Sequence, residues 1–376
     1  MTDIIEAAYG LHPVLREFAE FGDAHRRAAD EVIEALQDAG MFRMFTPRRF
    51  GGLEADLGTV QEVAAALGEA DGSAAWLVGV AAGSSWLMAH GSPELQEEVF
   101  GADPDARIAG GGSGSGTARP AAGGLAVSGR WSYASGAPHA SWASVVVTPT
   151  DEEGSPSAPV FAVMPMAEVH IADTWHTSGL RGTGSNTVVV DEVFVPAHRL
   201  IGLDVLRDEA VSELDPRYRL PFRAVGEAVL LGALLGVGTA ALDFVVEAAA
   251  HKKIAHTPGN RTQGESVGVQ LQIADAALRL QTAQLHARSV TEFVTRLADA
   301  GSSPGGLAQA RTQAQNSHAV REIRAAVDTL VDVHGSSGLF DASPLRRMAG
   351  DIAIGARHAA FNAAVGNELF GKALLG

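Results

Sequence analysis

The order in which hydrophobic patterns follow one another constrains this chain more than any single motif. Residues 1 to about 100 carry helical spacing: in ADEVIEALQDAGMFRMF, Val32, Leu36 and Ala39 share one face and charged residues occupy the other. Gly40 supplies a stop, Pro47 begins a turn before Gly51-Gly52, a second helical block runs from Gly58 to Ala89, and Ser92-Pro93-Glu94 starts a short helix. The character changes at IAGGGSGSG (108–116). From there to about 200, LAVSGRW, SVVVTP, PVFAVMPM and TVVVDEVFV are short Val-rich strand signals separated by Gly, Pro and Asp. Asp151 to Pro159, charged and carrying two prolines, reads as an exposed hairpin loop. Beyond about 220 the pattern is helical again, with interhelical loops expected at His256–Gly268 and Ala300–Gly306. Helices, then strands, then helices, without βαβ alternation, disfavour a Rossmann or TIM-barrel fold and predict an α+β chain.

A chain of 376 residues buries more than one core. The pattern changes divide it into an N-terminal helical domain (1–107), a central β domain (108–205) and a C-terminal helical bundle (206–376). The net charge is −16 and the only lysines are Lys252, Lys253 and Lys372, so no basic footprint for nucleic acid is visible. The absence of cysteine excludes disulfides, thiolate metal sites and cysteine nucleophiles. The N-terminus, MTDIIEAAYG, lacks the basic region of a signal peptide. The most apolar stretch, Ala228 to Leu242, is shorter than the roughly 20 residues a bilayer requires. It is also interrupted by Gly232, Gly236 and Gly238, so it predicts a buried helix and a soluble, cytoplasmic protein with no membrane partner.

Several motifs invite chemistry and do not support it. The Gly-rich run at 110–116 fits G-x-G-x-x-G in no register and leads into strands. Gly366 to Ala373, GNELFGKA, nearly matches a phosphate loop, but Ala373 cannot ligate Mg²⁺ and the segment ends a helix. His251 and His256 are five apart, poor spacing for two ligands on one helical face.

Three longer segments are more specific: GRWSYASG (Gly129–Gly136), DTWHTSGLRGTGSNTVVVDEVFVP (Asp173–Pro196) and SPLRRMAGDIAIGARHAAFN (Ser343–Asn362). Together they resemble the acyl-CoA dehydrogenase superfamily, and within it the branch of flavin-dependent monooxygenases. The resemblance implies an N-terminal helical domain, a central β-barrel domain and a C-terminal four-helix bundle, assembled as a homotetramer. In the dehydrogenases a Glu in a Tyr-Glu-Gly-Thr segment removes the substrate α-proton. The matching stretch here is Ala356 to Ala360, which holds His358 and no carboxylate. That difference favours oxygenation over desaturation.

The resemblance assigns roles residue by residue. Ser135 takes the place of the threonine that hydrogen-bonds flavin N5, and a hydroxyl that donates and accepts serves N5 in either redox state. Its bland alternative is a turn serine beside Gly136. Trp131, Trp175, Ser178, Gly179 and Thr183 would line the flavin, Trp175 having the alternative of a core tryptophan. Gly112 and Ser113 would offer backbone amides to the pyrimidine edge. Arg181 either meets a phosphate or pairs with Asp191 or Glu192. His358 would act near the flavin and substrate as a proton donor or acceptor, a task suited to a side chain titrating near neutrality. Seven residues separate it from Asp351, which predicts one shared helical face, with Arg347 four residues before Asp351.

VHGSSGLF (Val333–Phe340) resembles the family loop that meets a neighbouring subunit's flavin, with Gly335 and Ser336 at its paired-glycine positions. The pyrophosphate-binding Arg-x-x-Phe-Gly motif survives only as Arg261-Thr-Gln-Gly264, which leaves both FMN and FAD open. Several aromatic hydroxylases of the branch place a histidine where Ser84 falls, so a phenolic substrate is not implied. The expected activity is the oxygenase component of a two-component flavin-dependent monooxygenase. It would use reduced flavin and O2, through a C4a-hydroperoxyflavin, on a small-molecule substrate, aromatic or natural-product-like. A separate NAD(P)H-dependent flavin reductase would supply the reduced flavin. Two alternatives stand beside it: a dehydrogenase or oxidase using Glu227 or Glu247 as base, and a non-catalytic family member.

Overall fold

The structure is a computed structural model that describes residues 2–111, 113–151, 155–203, 215–254 and 261–376. Among the described residues, six α-helices come first: α1 (Thr2–Gly10), α2 (His12–His25), α3 (Asp30–Asp38), α4 (Leu57–Gly68), α5 (Gly72–Met88) and α6 (Pro93–Phe100). Capping chemistry sets several of their starts. Asp56 accepts from Thr59 N–H at 2.9 Å, Asp71 from Ser73 N–H at 2.8 Å, and Ser92 from Leu95 N–H at 3.0 Å, with Pro93 preset in the first turn of α6. The 58–89 block is therefore two helices, because Asp71 restarts the chain after a break at residues 69–71.

Eight strands follow among the described residues: β1 (Ile108–Gly111), β2 (Ser113–Ala121), β3 (Gly124–Ala134), β4 (Trp142–Val147), β5 (Val160–Pro165), β6 (His170–Ala172), β7 (Asn186–Pro196) and β8 (Leu200–Gly202). They form two four-stranded sheets, ordered β1-β4-β5-β8 and β2-β3-β7-β6. β1 lies parallel to β4 and every other pairing between these strands is antiparallel. Both sheets turn alternate Val, Ala and Met side chains into one shared core. Trp131 fills it, 1% exposed, and its indole N–H donates to the Val146 carbonyl at 3.0 Å, tying one sheet to the other. The barrel-like domain is thus two sheets closed on a common apolar interior.

Helices return as α7 (Phe222–Ala249), α8 (Val267–Asp299), α9 (Gly306–His334), α10 (Pro344–Gly355) and α11 (Ala363–Leu375). α7 is the axis of the molecule, packed on α4 and α5 as well as on α8, α9 and α10. Its 28 residues are long and apolar enough to cross a bilayer, yet 67% of its most apolar window is buried inside this fold. The expected buried helix is present, and packing rather than shortness accounts for it. The glycines that interrupt its sequence are contact points. A Cβ on Gly236 would stand 2.0 Å from the Ala65 carbonyl oxygen, so α7 and α4 approach at a spacing that no side chain permits.

Candidate active site

β3 loses its register on β7 between Trp131 and Ala134. The irregularity throws Tyr133 into the left-handed region at φ 63, where the residue is 63% exposed and its ring stands edge-on to Trp175, 6.1 Å between centroids. Two residues on, Ser135 turns inward and is buried. Gly136, at φ 78, closes the turn by donating its N–H to the Thr183 carbonyl at 2.8 Å. Leu180 is a second non-glycine residue in the left-handed region, at φ 48. Strained backbone of this kind persists only where the surroundings over-determine it.

Leu180 is so determined. Its N–H donates to Asp351 Oδ1 at 2.5 Å, while its carbonyl accepts from Trp175 Nε1 at 2.9 Å and Thr183 Oγ1 at 2.7 Å. Thr183 Oγ1 lies 2.7 Å from Ser185 Oγ, which lies 2.7 Å from Ser135 Oγ. A single backbone unit therefore joins α10, the Trp175 ring and the hydroxyl row that ends at Ser135. Close backbone packing reinforces the joint, since a Cβ on Gly179 would fall 2.0 Å from the Gly350 carbonyl carbon. Arg181 Nε donates to the Asp23 carbonyl at 2.6 Å and Arg346 pairs with the Asp23 carboxylate at 2.5 Å, tying the loop, α10 and α2 together.

Asp351 is fully enclosed. Burial pushes its carboxyl up to about 7, the nearby Asp71 carboxyl adds to the rise, and the Leu180 N–H and Arg347 partly offset it. Asp71 is raised as well, again chiefly by burial.

His358 does not share a helical face with Asp351, because α10 ends at Gly355. Its backbone leaves the helix at φ −56, ψ 141, and it caps a separate turn, Ala359–Phe361. There Nδ1 accepts the Ala360 N–H at 3.3 Å, so the neutral ring carries its proton on Nε2. The ring packs edge-on to Trp76 of α5, 5.7 Å between centroids. Solvent reaches part of the residue in the single chain, yet the surrounding protein lowers its pKa by desolvation. Gly355 brings this turn to the Leu180 unit, since a Cβ there would meet Leu234, Trp76 and Leu180.

The other expected residues divide. Trp175 is half-buried and Ser178 exposed, both beside Leu180, whereas Thr183 is buried behind them. Trp131 is sealed in the sheet core and offers no surface to a ligand; the strand irregularity that follows it redirects Tyr133 and Ser135 instead. Gly112 lies outside the described residues, and of Ser113 only the backbone in β2 is described. Arg181 pairs with neither Asp191 nor Glu192: it is anchored on Asp23, and Glu192 meets Arg119. Arg261, Gly335 and Ser336 form a second group. The Arg261–Gly264 turn reaches the end of α9 through Gln263 Nε2 to the Val333 carbonyl at 2.5 Å. Lys252 Nζ holds the neighbouring His334 carbonyl at 2.5 Å and Ser337 Oγ at 2.6 Å. Arg261 itself is exposed and bonds the Glu265 carbonyl; Gly335 stands at φ 82 with open space above its Cα. Leu180, Ser185 and Tyr133 carry the site without having been singled out by sequence.

These residues fit a flavin ring. Tyr133 and Trp175 present aromatic surface, Ser178 is open beside them, and Ser135 borders a cleft lined by Leu77, Val80, Ala81 and Ile108 together with Arg107 and His139. Glu227 is buried, bonded to Arg223 at 2.5 Å and to Asn316 Nδ2 at 2.8 Å, and Glu247 is exposed on α7.

Comparison with known proteins places this architecture. The acyl-CoA dehydrogenase N-terminal domain family matches residues 11–102, and the acyl-CoA dehydrogenase C-terminal domain family matches residues 228–363. The oxygenase subunit HsaA of a flavin-dependent monooxygenase from Rhodococcus jostii is 31% identical over 356 residues, covering 93% of this chain and 92% of that protein. The structure of XiaF from a Streptomyces species, in complex with FADH2 and glycerol, superposes with a TM-score of 0.96 at 30% identity, covering 100% of this chain and 95% of that one. That of 3-HSA hydroxylase from a Rhodococcus species gives 0.92 at 28%, covering 100% and 97%. The chain belongs to the flavin-dependent monooxygenases of the acyl-CoA dehydrogenase family.

Proposed function

We propose that the chain is the oxygenase component of a two-component flavin-dependent monooxygenase that oxygenates a small aromatic or natural-product-like molecule with O2. A separate NAD(P)H-dependent flavin reductase would deliver the reduced flavin, FMN or FAD. The observation that carries this reading is His358: the turn that would hold a dehydrogenase's base carries a neutral imidazole and no carboxylate.

Reduced flavin, when bound, supplies the activation of O2. The chain's own residues do the rest. Ser135 would hydrogen-bond the ring and Trp175 and Ser178 would lie along it, while Gly179 and Thr183 hold that wall in place through Gly350 and Leu180. His358 donates from Nε2 and takes up a proton only at Nδ1, where the Ala360 N–H now sits. Leu77, Val80, Ala81 and Ile108 beside Ser135 would limit water at the ring.

Arg261, Gly335, Ser336 and the Ser113 backbone serve a flavin shared between subunits of a homotetramer. The free face of α8 supports this assembly. Val267, Leu271, Leu278 and Leu285 are 62–67% exposed and, with Ala274 and Gln281 between them, follow the alternating four-and-three spacing of a helix–helix seam. The enzyme would act in the cytoplasm. Supplying the protein with reduced FMN, isotopically labelled O2 and a panel of phenols and indoles tests the activity by mass spectrometry. A product carrying one labelled oxygen is expected; hydrogen peroxide as the sole product, together with desaturation of an acyl-CoA, would overturn the reading.

A further inference from the structure

Three hydroxyls stand in a row behind the proposed flavin contact, and their protons can be counted. The row makes three contacts of 2.7 Å: Thr183 Oγ1 to the Leu180 carbonyl, Ser185 Oγ to Thr183 Oγ1, and Ser135 Oγ to Ser185 Oγ. Two oxygens at that separation repel unless a proton lies between them. A carbonyl has none to give, so Thr183 donates to Leu180. Thr183 then accepts from Ser185, and Ser185 accepts from Ser135. All three protons are consumed. Exposures of 1% for Thr183, 4% for Ser185 and 9% for Ser135 leave little room for water to reverse the order. The Ser135 backbone N–H is also engaged, donating to the Tyr133 carbonyl at 2.9 Å. Only lone pairs on Ser135 Oγ remain for a ligand.

Oxidised flavin presents a lone pair at N5, whereas reduced flavin presents an N–H there. An oxygen that only accepts therefore discriminates between them. We propose that Ser185, anchored through Thr183 on the Leu180 carbonyl, fixes Ser135 as an acceptor and so sets the site's preference for reduced over oxidised flavin. This rests on the reading that Ser135 meets the flavin ring. It also explains how an oxygenase lacking its own reductant selects the useful form from a mixed pool. A lone serine would accept either form; the row behind it removes that freedom.

The test is the pair of dissociation constants for anaerobically reduced FMN and for oxidised FMN, measured on the full-length protein by ultrafiltration, without turnover. Ser185→Ala frees the Ser135 proton to meet the lone pair of oxidised flavin. It should tighten oxidised FMN and cut the preference for reduced FMN by about tenfold, equivalent to about 30 mV in the midpoint potential of a two-electron couple. Thr183→Val should act in the same direction, because Ser185 loses its acceptor and the row can run either way. Ser185→Thr keeps a hydroxyl in place and should restore the wild-type ratio. Damage to the fold would weaken both forms together, so tighter oxidised binding is a readout that a structural role would not produce. An unchanged ratio in Ser185→Ala, while Ser135→Ala weakens reduced FMN, would overturn the role of the row and leave Ser135 at the flavin. If Ser135→Ala changes neither constant, both readings fall.

Discussion

Replacing Asp351 by Asn should change how stability depends on pH. Asp351 sits at the meeting of α10, the Leu180 loop and the start of α5, 3% exposed. Burial raises its carboxyl from 3.8 to about 7. A carboxylic acid that holds its proton more tightly when folded stabilises the fold fully below 3.8 and loses that contribution as pH rises through about 7. At 1.36 kcal/mol per pH unit the loss totals about 4 kcal/mol, with about 3 kcal/mol falling between about pH 5 and pH 8. The amide has no such proton to lose. It keeps an oxygen to accept the Leu180 N–H and offers an N–H toward Asp71. Urea unfolding at one fixed protein concentration, followed by circular dichroism across that range, measures the effect. The advantage of Asp351→Asn over wild type should grow by about 3 kcal/mol from pH 5 to pH 8. Parallel stability curves would refute the claim that this buried carboxyl ionises at a cost within the folded protein.

Gly179→Ala should destabilise by about 3 kcal/mol or more, because its Cβ would enter the Gly350 backbone; thermal melting and flavin affinity should fall together. His358→Ala should retain reduced-flavin binding and lower product formation by about 100-fold or more. His358→Gln, which keeps a side-chain N–H, should recover part of that loss if donation is the role. Leu278→Glu on the exposed face of α8 should shift the assembly to smaller species in light scattering after size exclusion, with little change in helix content. Glu227→Gln should alter stability in thermal melting and leave oxygenation intact, because Glu227 is held by Arg223 and Asn316.

Side-chain patterning announced the helix–strand–helix order, and the Ser92 cap was readable at once because that signal is local. What could not be read depends on backbone groups and on distance. Leu180 joins three elements through its own N–H and carbonyl, and an apolar side chain gives no sign of that. Ser185 lies inside a quoted motif, but its meaning needs Ser135, fifty residues earlier, to arrive at hydrogen-bond distance. The seven-residue spacing from Asp351 to His358 misled, because it presumes an unbroken helix. Gly355 packs against Trp76 and Leu180, and α10 stops there. The resemblance placed Trp131 at the flavin, and a register irregularity invisible in sequence separates it from Tyr133 and Ser135. Gly232 and Gly236 of α7 read as interruptions because they admit α4, and Gly238 because it faces Leu280 of α8 and Ile323 of α9, neighbours that no single helix can reveal.

On the reading above, this chain activates O2 with flavin reduced elsewhere. Mixing the anaerobic protein with photoreduced FMN, then with oxygenated buffer in a stopped-flow spectrometer, tests it directly. A protein-dependent absorbance near about 380 nm is expected, forming before oxidised flavin and outlasting the reaction of free reduced FMN. Direct return to oxidised flavin at the rate of FMN alone, repeated with FAD, would contradict it.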